Sequence, residues 1–409
     1  MRKIKSIVVM LLFSLLCSSF FILSKEKDET KAVSKENVTI PGNGIDNIQK
    51  EIDKMSVEEK IGQLVIAGVD GLELVKKDKS LLTVNKVGGI IIMGKNVEST
   101  KRLKKLIDDI KSANKQNNIP LFLSVDEEGG RVSRMPSVFV RLPTNEVIGK
   151  RNNTAFSYEI GSIISEELKG FGFNMNFAPV LDINSNTNNP VIGDRSYGTN
   201  AEIVSKLGIS TMDSLKDNKI IAVVKHFPGH GDTSVDSHID LPIVNVPLEK
   251  LRSFEFLPFS RAIKKDVDGI MMGHILLKKI DNKYPASLSK KVITEILRRD
   301  LGFKGVVFTD DLTMGAITKQ FTIGDAAVKS IIAGADVVLV CHENKNVKAV
   351  LASLKKAVKS NEISEKRLDK SVYRILTLKE KYKLTDRSST NIDVSQINKR
   401  IAKLLAVPK

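Results

Sequence analysis

The segment KHFPGHGDTSVDSH, residues 225–238, concentrates three histidines, two aspartates and a lysine within fourteen residues. Asp236 and His238 are two residues apart, and such positions point to the same side of an extended segment. A carboxylate beside an imidazole orients the ring and favours its protonated form. The pair is therefore suited to donate a proton to a leaving group and later to remove one from water.

Two other interpretations of this segment stay open. His226, His230, Asp232 and His238 all carry side chains that can bind a metal. However, neither an HExxH motif nor a cysteine pair accompanies them, and Lys225 would add an unfavourable positive charge. A purely structural loop is the other possibility, although a Gly-rich loop crowded with ionisable groups is costly without a site. We therefore expect no bound metal and no cofactor.

A second group of carboxylates, Asp310 and Asp311, follows the apolar run GVVFT. One of them could act as a nucleophile. Adjacent residues of a strand point to opposite sides, so only one should face the site. Spacing alone does not choose between them, but Asp311 could instead accept backbone N–H groups at a helix N-terminus.

Elements that could position these residues recur along the chain. Eight short apolar runs occupy 63–69, 87–93, 120–126, 173–182, 220–227, 267–275, 305–311 and 335–342. Continuous runs are typical of parallel strands buried on both faces, and most are separated by stretches with helical periodicity. This alternation predicts an α/β fold, a single closed (β/α)8 TIM-like barrel. An open doubly wound sheet is the alternative.

Residues whose side chains can bind a ligand or transfer a proton lie where these runs end. Barrel enzymes place their sites at the carboxyl ends of the strands. The residues found there are Asp126, Asp182, Lys225, His226, His274, Asp310, Asp311 and His342. All five histidines of the chain lie at strand ends or in the loop after the fifth run, which supports the barrel interpretation.

The ends of the chain predict export. Residues 1–24 combine a basic start with an apolar run, as in a secretory signal peptide or membrane anchor, and Cys17 offers a weaker lipidation site. We expect a polar linker over 25–45, the barrel over 46–385, and a tail with a short helix over 386–409. The protein should be secreted or anchored on the outer face of the cytoplasmic membrane, with membrane contact only through its N-terminal segment.

The chain of 409 residues carries a net charge of +16. Nucleic acid is not an expected partner, because no basic cluster is interleaved with aromatic residues and tryptophan is absent. A diffuse positive surface outside the cell suits an anionic cell-envelope polymer. Solubility alone is an equally good explanation.

Several segments together resemble the family 3 glycoside hydrolases, most closely the β-N-acetylglucosaminidase branch. They are KHFPGHGDTSVDSH, ILRRDLGFKGVVFTDDLTM, VDEEGGRVSRM (125–135), FNMNFAPVLDI (173–183), NPVIGDRSYG (189–198) and SVYRILTLKEKYKL (371–384). The resemblance runs from about residue 48 to 384. It implies a barrel without the second α/β domain of larger members, and a His–Asp pair in place of the carboxylate that this domain supplies in the β-glucosidase branch.

The resemblance also implies roles for individual residues. Asp310 corresponds to the nucleophile, and His238, paired with Asp236, to the acid/base. The positions that correspond to sugar-binding residues are Asp126, Arg195, Lys225, His226 and Arg131. The implied activity is that of a retaining exo-β-N-acetylglucosaminidase acting on GlcNAc-containing glycans or muropeptides from peptidoglycan. A β-glucosidase-type or phosphorolytic enzyme, a metal-dependent hydrolase and a non-catalytic wall-binding barrel are the alternatives.

Overall fold

The eight apolar runs become the eight parallel strands of a closed barrel. Two further short strands bring the total among the described residues to ten. In chain order they are β1 Val65–Gly68, β2 Gly89–Ile92, β3 Phe122–Val125, β4 Met175–Asn176, β5 Ile221–Phe227, β6 Ile243–Val244, β7 Gly269–Met272, β8 Leu276–Leu277, β9 Val306–Asp311 and β10 Val337–Val340. The barrel order is β1-β10-β9-β7-β5-β4-β3-β2, while β6 and β8 form a small separate sheet. The predicted barrel is confirmed, and the open sheet is excluded by this closure.

The structure, a computed structural model, describes residues 45–186, 188–233, 235–388 and 392–406. The predicted signal segment and the predicted linker lie outside these residues, apart from Ile45, where the first helix begins. Residues from Asp46 onward form one unit. Among the described residues, the helices are all too short or too polar to cross a lipid bilayer.

Helices surround the barrel. They are α1 Ile45–Lys54, α2 Val57–Gln63, α3 Lys76–Thr83, α4 Thr100–Asn114, α5 Asn145–Arg151, α6 Thr154–Phe171, α7 Ala201–Asp217, α8 Leu248–Ser253, α9 Leu257–Lys264, α10 Gly315–Thr318, α11 Ile323–Ala333, α12 Asn344–Lys359, α13 Glu365–Lys381 and α14 Val394–Ala406. A π-helix spans Lys291–Asp300, and 3-10 turns span Gly94–Asn96, Gly193–Arg195 and Ala286–Leu288.

Local sequence signals set the helix ends. Asn153 caps α6 by accepting a hydrogen bond from the Phe156 N–H group, and Gly172 ends this helix with a φ of +100°, a conformation that suits glycine. Ser56 and Glu59 form a capping box at the start of α2. These caps satisfy N–H and C=O groups that a helix leaves unpaired at its ends.

The barrel interior is filled by aromatic side chains above a buried lysine. The Phe308 ring packs edge-to-face against Phe122 and Phe177, with centroid distances of 6.4 and 5.8 Å. The Nζ atom of Lys379 lies 4.6 Å from the centre of the Phe122 ring. It donates hydrogen bonds to Gln63 Oε1 at 2.8 Å and Gly88 O at 2.9 Å. Burial lowers the pKa of Lys379 to about 7.

A buried ion cluster ties α13 and the π-helix to the amino end of β10. Asp336, which directly precedes β10, is fully buried and contacts the guanidinium groups of Arg298, Arg367 and Arg374. Two of these arginines lie on α13. The cluster is at the barrel face opposite the strand ends where chemistry is expected, so we interpret it as structural.

The predicted C-terminal tail packs on the barrel unit. Helix α14 buries Ile397 and Ile401. Its Arg400 donates hydrogen bonds to Glu159 and Glu166 of α6, at 2.7 and 2.8 Å. The short helix predicted for this segment is therefore present, and it covers part of α6.

Replacing the buried lysine tests this account of the core. The unfolded chain holds a lysine proton up to about pH 10, whereas folded Lys379 releases it near pH 7. Unfolding therefore takes up a proton in this window, and the free energy of unfolding rises with pH. Between pH 7 and 9 the wild type should gain about 2 kcal/mol relative to Lys379→Met in urea denaturation. Lys101→Met, at an exposed helical position, serves as the control and should parallel the wild type. Equal pH slopes for Lys379→Met and wild type would contradict the account.

Candidate active site

A cavity of about 430 Å³ opens at the carboxyl ends of the barrel strands. Its lining includes every residue to which the resemblance gives a catalytic or sugar-binding role, namely Asp126, Arg131, Arg195, Lys225, His226, Asp236, His238 and Asp310. A larger cleft of about 780 Å³ lies beside the C-terminal segment and contains none of these residues. We therefore assign the candidate site to the smaller cavity.

Irregularities in two strands bring neighbouring side chains to this cavity. The pairing of β5 with β7 shifts register between Val224 and Phe227. The pairing of β9 with β10 shifts between Val337 and Leu339, opposite the end of β9. Such bulges redirect side chains and are common beside active sites. Consequently Lys225 and His226 both line the cavity, as do Asp310 and Asp311.

Both adjacent aspartates line the cavity, but their environments differ. Asp311 accepts hydrogen bonds from the backbone N–H groups of Thr313 and Cys341, each at 3.0 Å. Asp310 is half-buried, and its Oδ1 atom accepts a bond from the Asp311 N–H group at 2.8 Å. Asp311 therefore stabilises the local backbone, while Asp310 keeps an oxygen for other contacts.

The surroundings of Asp310 favour its ionised form. Burial alone would raise the pKa of Asp310, but the nearby imidazole of His226 and the Asp311 N–H group hold it below the usual value. His274 lies behind this strand end, where its Nε2–H group donates to Asp311 O at 3.0 Å and its Nδ1 atom accepts from Ser287. Burial lowers the pKa of His274, so this ring is neutral and fixes the backbone that carries Asp310.

A buried ion network forms one wall of the cavity, and its central residue, Glu128, was missed by the sequence analysis. The Nζ atom of Lys225 lies 2.6 Å from Asp126 Oδ1 and 2.7 Å from Glu128 Oε1. Arg195 donates two hydrogen bonds to the Glu128 carboxylate, both at 2.8 Å. Despite burial, the charges of Arg195 and Lys225 hold the pKa of Glu128 well below its usual value. The sequence signals for Glu128 are its position two residues after a strand-end aspartate and its place in the segment VDEEGGRVSRM.

Arg131 and Arg134, both in the loop after β3, have different roles in the structure. The Arg131 side chain is half-exposed, pairs with Asp194 at 2.7 Å and donates to the carbonyl oxygens of Val191 and Ile192. Arg134 also lines the cavity, and its Nε atom is shielded from solvent without a hydrogen-bond partner among the described residues. Arg134 is thus better placed than Arg131 to bind a ligand, although the sequence analysis selected Arg131.

Asp182 positions the histidines of the loop after β5. Its buried carboxylate accepts a hydrogen bond from His226 Nδ1 at 2.7 Å and another from the His230 N–H group at 2.7 Å. Burial would raise the pKa of Asp182, but these contacts with His226 and His230 lower it. With Nδ1 bonded to the carboxylate, the Nε2 atom of His226 is left for a ligand.

The Asp236–His238 pair forms, but not through an extended segment. Asp236 Oδ1 accepts hydrogen bonds from the N–H group of His238 at 2.8 Å and from its Nδ1 atom at 2.7 Å. The backbone here is a turn, in which an aspartate side chain bonds to the backbone two residues later. His238 is exposed, and its Nε2 atom is directed away from the carboxylate bond. That atom is available to give or take a proton.

The geometry disfavours the metal interpretation of this loop. Both ring nitrogens of His230 are engaged, Nδ1 with Thr233 at 2.6 Å and Nε2 with Ser237 at 3.1 Å. Burial and the neighbouring His226 lower the pKa of His230 to about 4, so its ring is neutral. Within the described parts of the chain, histidine, cysteine and acidic side chains do not gather in groups of three or more that could hold a metal ion.

Comparisons with known proteins agree on one family. A family model described as "Glycosyl hydrolase family 3 N terminal domain" matches residues 56–378. The chain is 36% identical over 319 residues to "Beta-hexosaminidase A" of Pseudoalteromonas piscicida, a match that covers 72% of this chain and 53% of that protein. It is 35% identical over 297 residues to "Beta-hexosaminidase" of Methylobacillus flagellatus, covering 71% of this chain and 84% of that protein.

A solved structure is similar over most of the chain. It is a "glycoside hydrolase family 3 beta-N-acetylglucosaminidase" from Paenibacillus sp. str. FPU-7, with 41% sequence identity and a TM-score of 0.81. The match covers 86% of this chain and 68% of that one. This chain therefore spans about two thirds of that protein and about half of the Pseudoalteromonas relative.

Removal of the central charge of the ion network should destabilise the fold. Glu128→Gln leaves Arg195 and Lys225 buried without their shared anion, and breaking a buried ion pair in this way costs about 3 kcal/mol or more. Urea denaturation measures the loss. The control Glu202→Gln removes an exposed carboxylate that pairs with Arg261 and should leave the urea midpoint close to that of the wild type. Equal midpoints for the two variants would show that the network is not a stabilising element.

Proposed function

Because the chain belongs to family 3 of the glycosyl hydrolases, we propose that it is a retaining exo-β-N-acetylglucosaminidase. One observation carries this proposal. The Asp310 carboxylate, at the end of β9, and the Asp236–His238 pair, in the loop after β5, line the same cavity at the strand ends. A nucleophile and a proton donor around one sugar ring are what the retaining reaction requires.

In the first step, an ionised Asp310 oxygen attacks the anomeric carbon, and the bond from that carbon to the leaving oxygen breaks. The lowered pKa of Asp310 keeps this carboxylate charged. His238 donates its Nε2 proton to the departing oxygen, while Asp236 holds the imidazole through Nδ1. The products are an ester between the sugar and Asp310, a released alcohol and a neutral His238.

In the second step, water attacks the same anomeric carbon and releases Asp310. Neutral His238 accepts the water proton at Nε2, which restores both residues to their starting states. Two successive inversions at the anomeric carbon retain its configuration. Retaining enzymes normally use two carboxyl groups for this chemistry, and here an imidazole takes the place of one. A neutral imidazole also repels an anionic acceptor less than a carboxylate would, so phosphate is the competing acceptor to test beside water.

The remaining polar residues of the cavity hold the sugar. Lys225 and Asp126 form a charged pair at 2.6 Å, and both can bond to sugar hydroxyl groups. Arg195 and His226 add donors on the same rim. We assign the remaining cationic contact to Arg134, because the Arg131 guanidinium is already bonded to Asp194 and to backbone carbonyl groups. Such fixed contacts supply the orientation that the reaction needs.

The natural substrate proposed here is a GlcNAc-containing fragment of peptidoglycan, hydrolysed outside the cytoplasm. The N-terminal signal-like segment and the net charge of +16, which favours anionic envelope polymers, support this setting. Release of free GlcNAc from purified muropeptides would support the proposal. Failure to release it, with activity kept on aryl N-acetylglucosaminides, would assign another natural substrate, and cell fractionation tests the location.

Substitution of the two reacting residues tests the mechanism. Asp310→Ala should lower kcat/KM on a nitrophenyl N-acetylglucosaminide by about a thousandfold or more, since the attacking atom is lost. His238→Ala should lose about 10²-fold or more on an alkyl leaving group that needs protonation, and far less on a dinitrophenyl leaving group that does not. Asp311→Asn is not a suitable control, because that carboxylate holds the backbone. Activity that survives Asp310→Ala would assign the nucleophile elsewhere.

Arg131 and Arg134, both in the loop after β3, offer a matched comparison. Arg134→Lys should raise KM about tenfold or more, because a charged hydrogen bond to the sugar is lost or misplaced. Arg131→Lys should change KM less than about threefold, because its guanidinium bonds to the protein instead. Steady-state kinetics on the same aryl substrate measures both values. The reverse ranking would restore the assignment that the sequence analysis made.

A further inference from the structure

The contact between the tip of the loop after β5 and the start of α10 fixes the position of the proposed acid. The base of this loop is held firmly, because Asn189 donates hydrogen bonds to the carbonyl oxygens of His230 and Gly231, at 2.8 and 3.2 Å. His230 is buried, whereas His238, eight residues later, is 65% exposed at its side chain. The exposed end of the loop therefore needs a support of its own.

That support comes from two backbone N–H groups. Gly315 donates a hydrogen bond to His238 O at 3.2 Å, and Ala316 donates one to Ser237 O at 3.1 Å. These are the first two residues of α10, whose N–H groups have no acceptor within the helix. The tip of the loop thus takes the position that capping groups usually occupy at a helix start.

The same helix start is connected directly to Asp310. The chain turns tightly after β9. There the Asp311 carboxylate accepts a hydrogen bond from the Thr313 N–H group, and the Asp311 carbonyl oxygen accepts one from the Met314 N–H group. Gly315 follows at once. A short, internally bonded segment therefore joins the nucleophile to the residue that holds the acid.

Gly315 allows the close approach of the two backbones. A Cβ atom at this position would lie 2.5 Å from Ile239 O and 2.7 Å from His238 O, distances that force one of the segments to move. The Gly315 backbone does not require a positive φ, so an alanine could adopt its conformation. Glycine is therefore needed here because a Cβ atom would collide with the backbone of His238 and Ile239, and His238 is the proposed acid.

We propose that Gly315 is a positioning residue that sets the distance between His238 and Asp310, through direct contact of its backbone with the tip of the loop. This proposal rests on the proposed glycosidase function. An added methyl group displaces His238 and leaves Asp310 in place. Gly315→Ala should therefore resemble a weakened His238 variant rather than a weakened nucleophile.

The test compares leaving groups across matched variants. Gly315→Ala should lower kcat/KM about tenfold or more on an alkyl N-acetylglucosaminide and less than about threefold on the dinitrophenyl substrate, whose departure needs no acid. Gly71→Ala is the control, since a Cβ atom there meets nothing within 4 Å. It should match the wild type on both substrates. Equal losses on both substrates, or no loss on either, would overturn the proposal.

A second variant and a second measurement cover the case in which Gly315→Ala is unstable. Lys319 pairs with Asp240 at 3.1 Å, just beyond the tip, and both side chains are exposed. Lys319→Ala should fold normally and produce a smaller loss, about twofold, restricted to the alkyl substrate. Hydrogen exchange of the peptide 235–241 should be faster in both variants than in Gly71→Ala. An unchanged exchange rate of this peptide would show that the start of α10 does not support the loop tip. A wild-type protein inactive on every aryl N-acetylglucosaminide would instead contradict the proposed function.

Discussion

The turn from Asp310 to Gly315 is the constraint on which the rest of the site depends. At its beginning, beside the register shift between β9 and β10, Asp310 lines the cavity. At its end, the backbone of Gly315 contacts the loop that carries His238. Asp311 holds the turn together by accepting hydrogen bonds from the N–H groups of Thr313 and of Cys341, which directly follows the neighbouring strand β10. One short segment therefore carries Asp310 and contacts the loop that carries His238, the two groups proposed to react.

The charges around the cavity determine the ionisation of the groups that line it. A half-buried carboxylate is costly unless nearby donors and cations favour its charged form, and the surroundings of Asp310 supply both. The opposite wall holds two cations, Lys225 and Arg195, which are balanced by Glu128 and Asp126. These charges are mutually satisfied before any ligand arrives, so the cavity presents a fixed pattern of donors and acceptors to a sugar.

The barrel and many of the residues at its rim could be predicted from the sequence, because buried strands appear as apolar runs and the residues that end these runs are polar. Continuous apolar runs predict a parallel barrel, and closure then brings Asp126, Lys225 and Asp310 to one rim. Register shifts leave no such trace, so the sequence did not show that Asp311 would line the cavity beside Asp310. Glu128 was missed because its importance comes from the two cations that it meets across loops, Arg195 and Lys225. Arg134 was missed because its importance comes from an Nε atom that is shielded from solvent without a partner among the described residues. Spacing along the chain encodes neither.

The central claim is that Asp310 forms a covalent bond to the sugar while His238 handles the proton. Its most direct test is to trap the intermediate with a fluorinated N-acetylglucosaminyl fluoride, which slows the second step, and to identify the modified peptide by mass spectrometry. The account predicts one sugar attached to the peptide that contains Asp310, and none in Asp310→Ala. A sugar attached to a different residue, or turnover of a good substrate with inverted configuration and no trapped species, would contradict it.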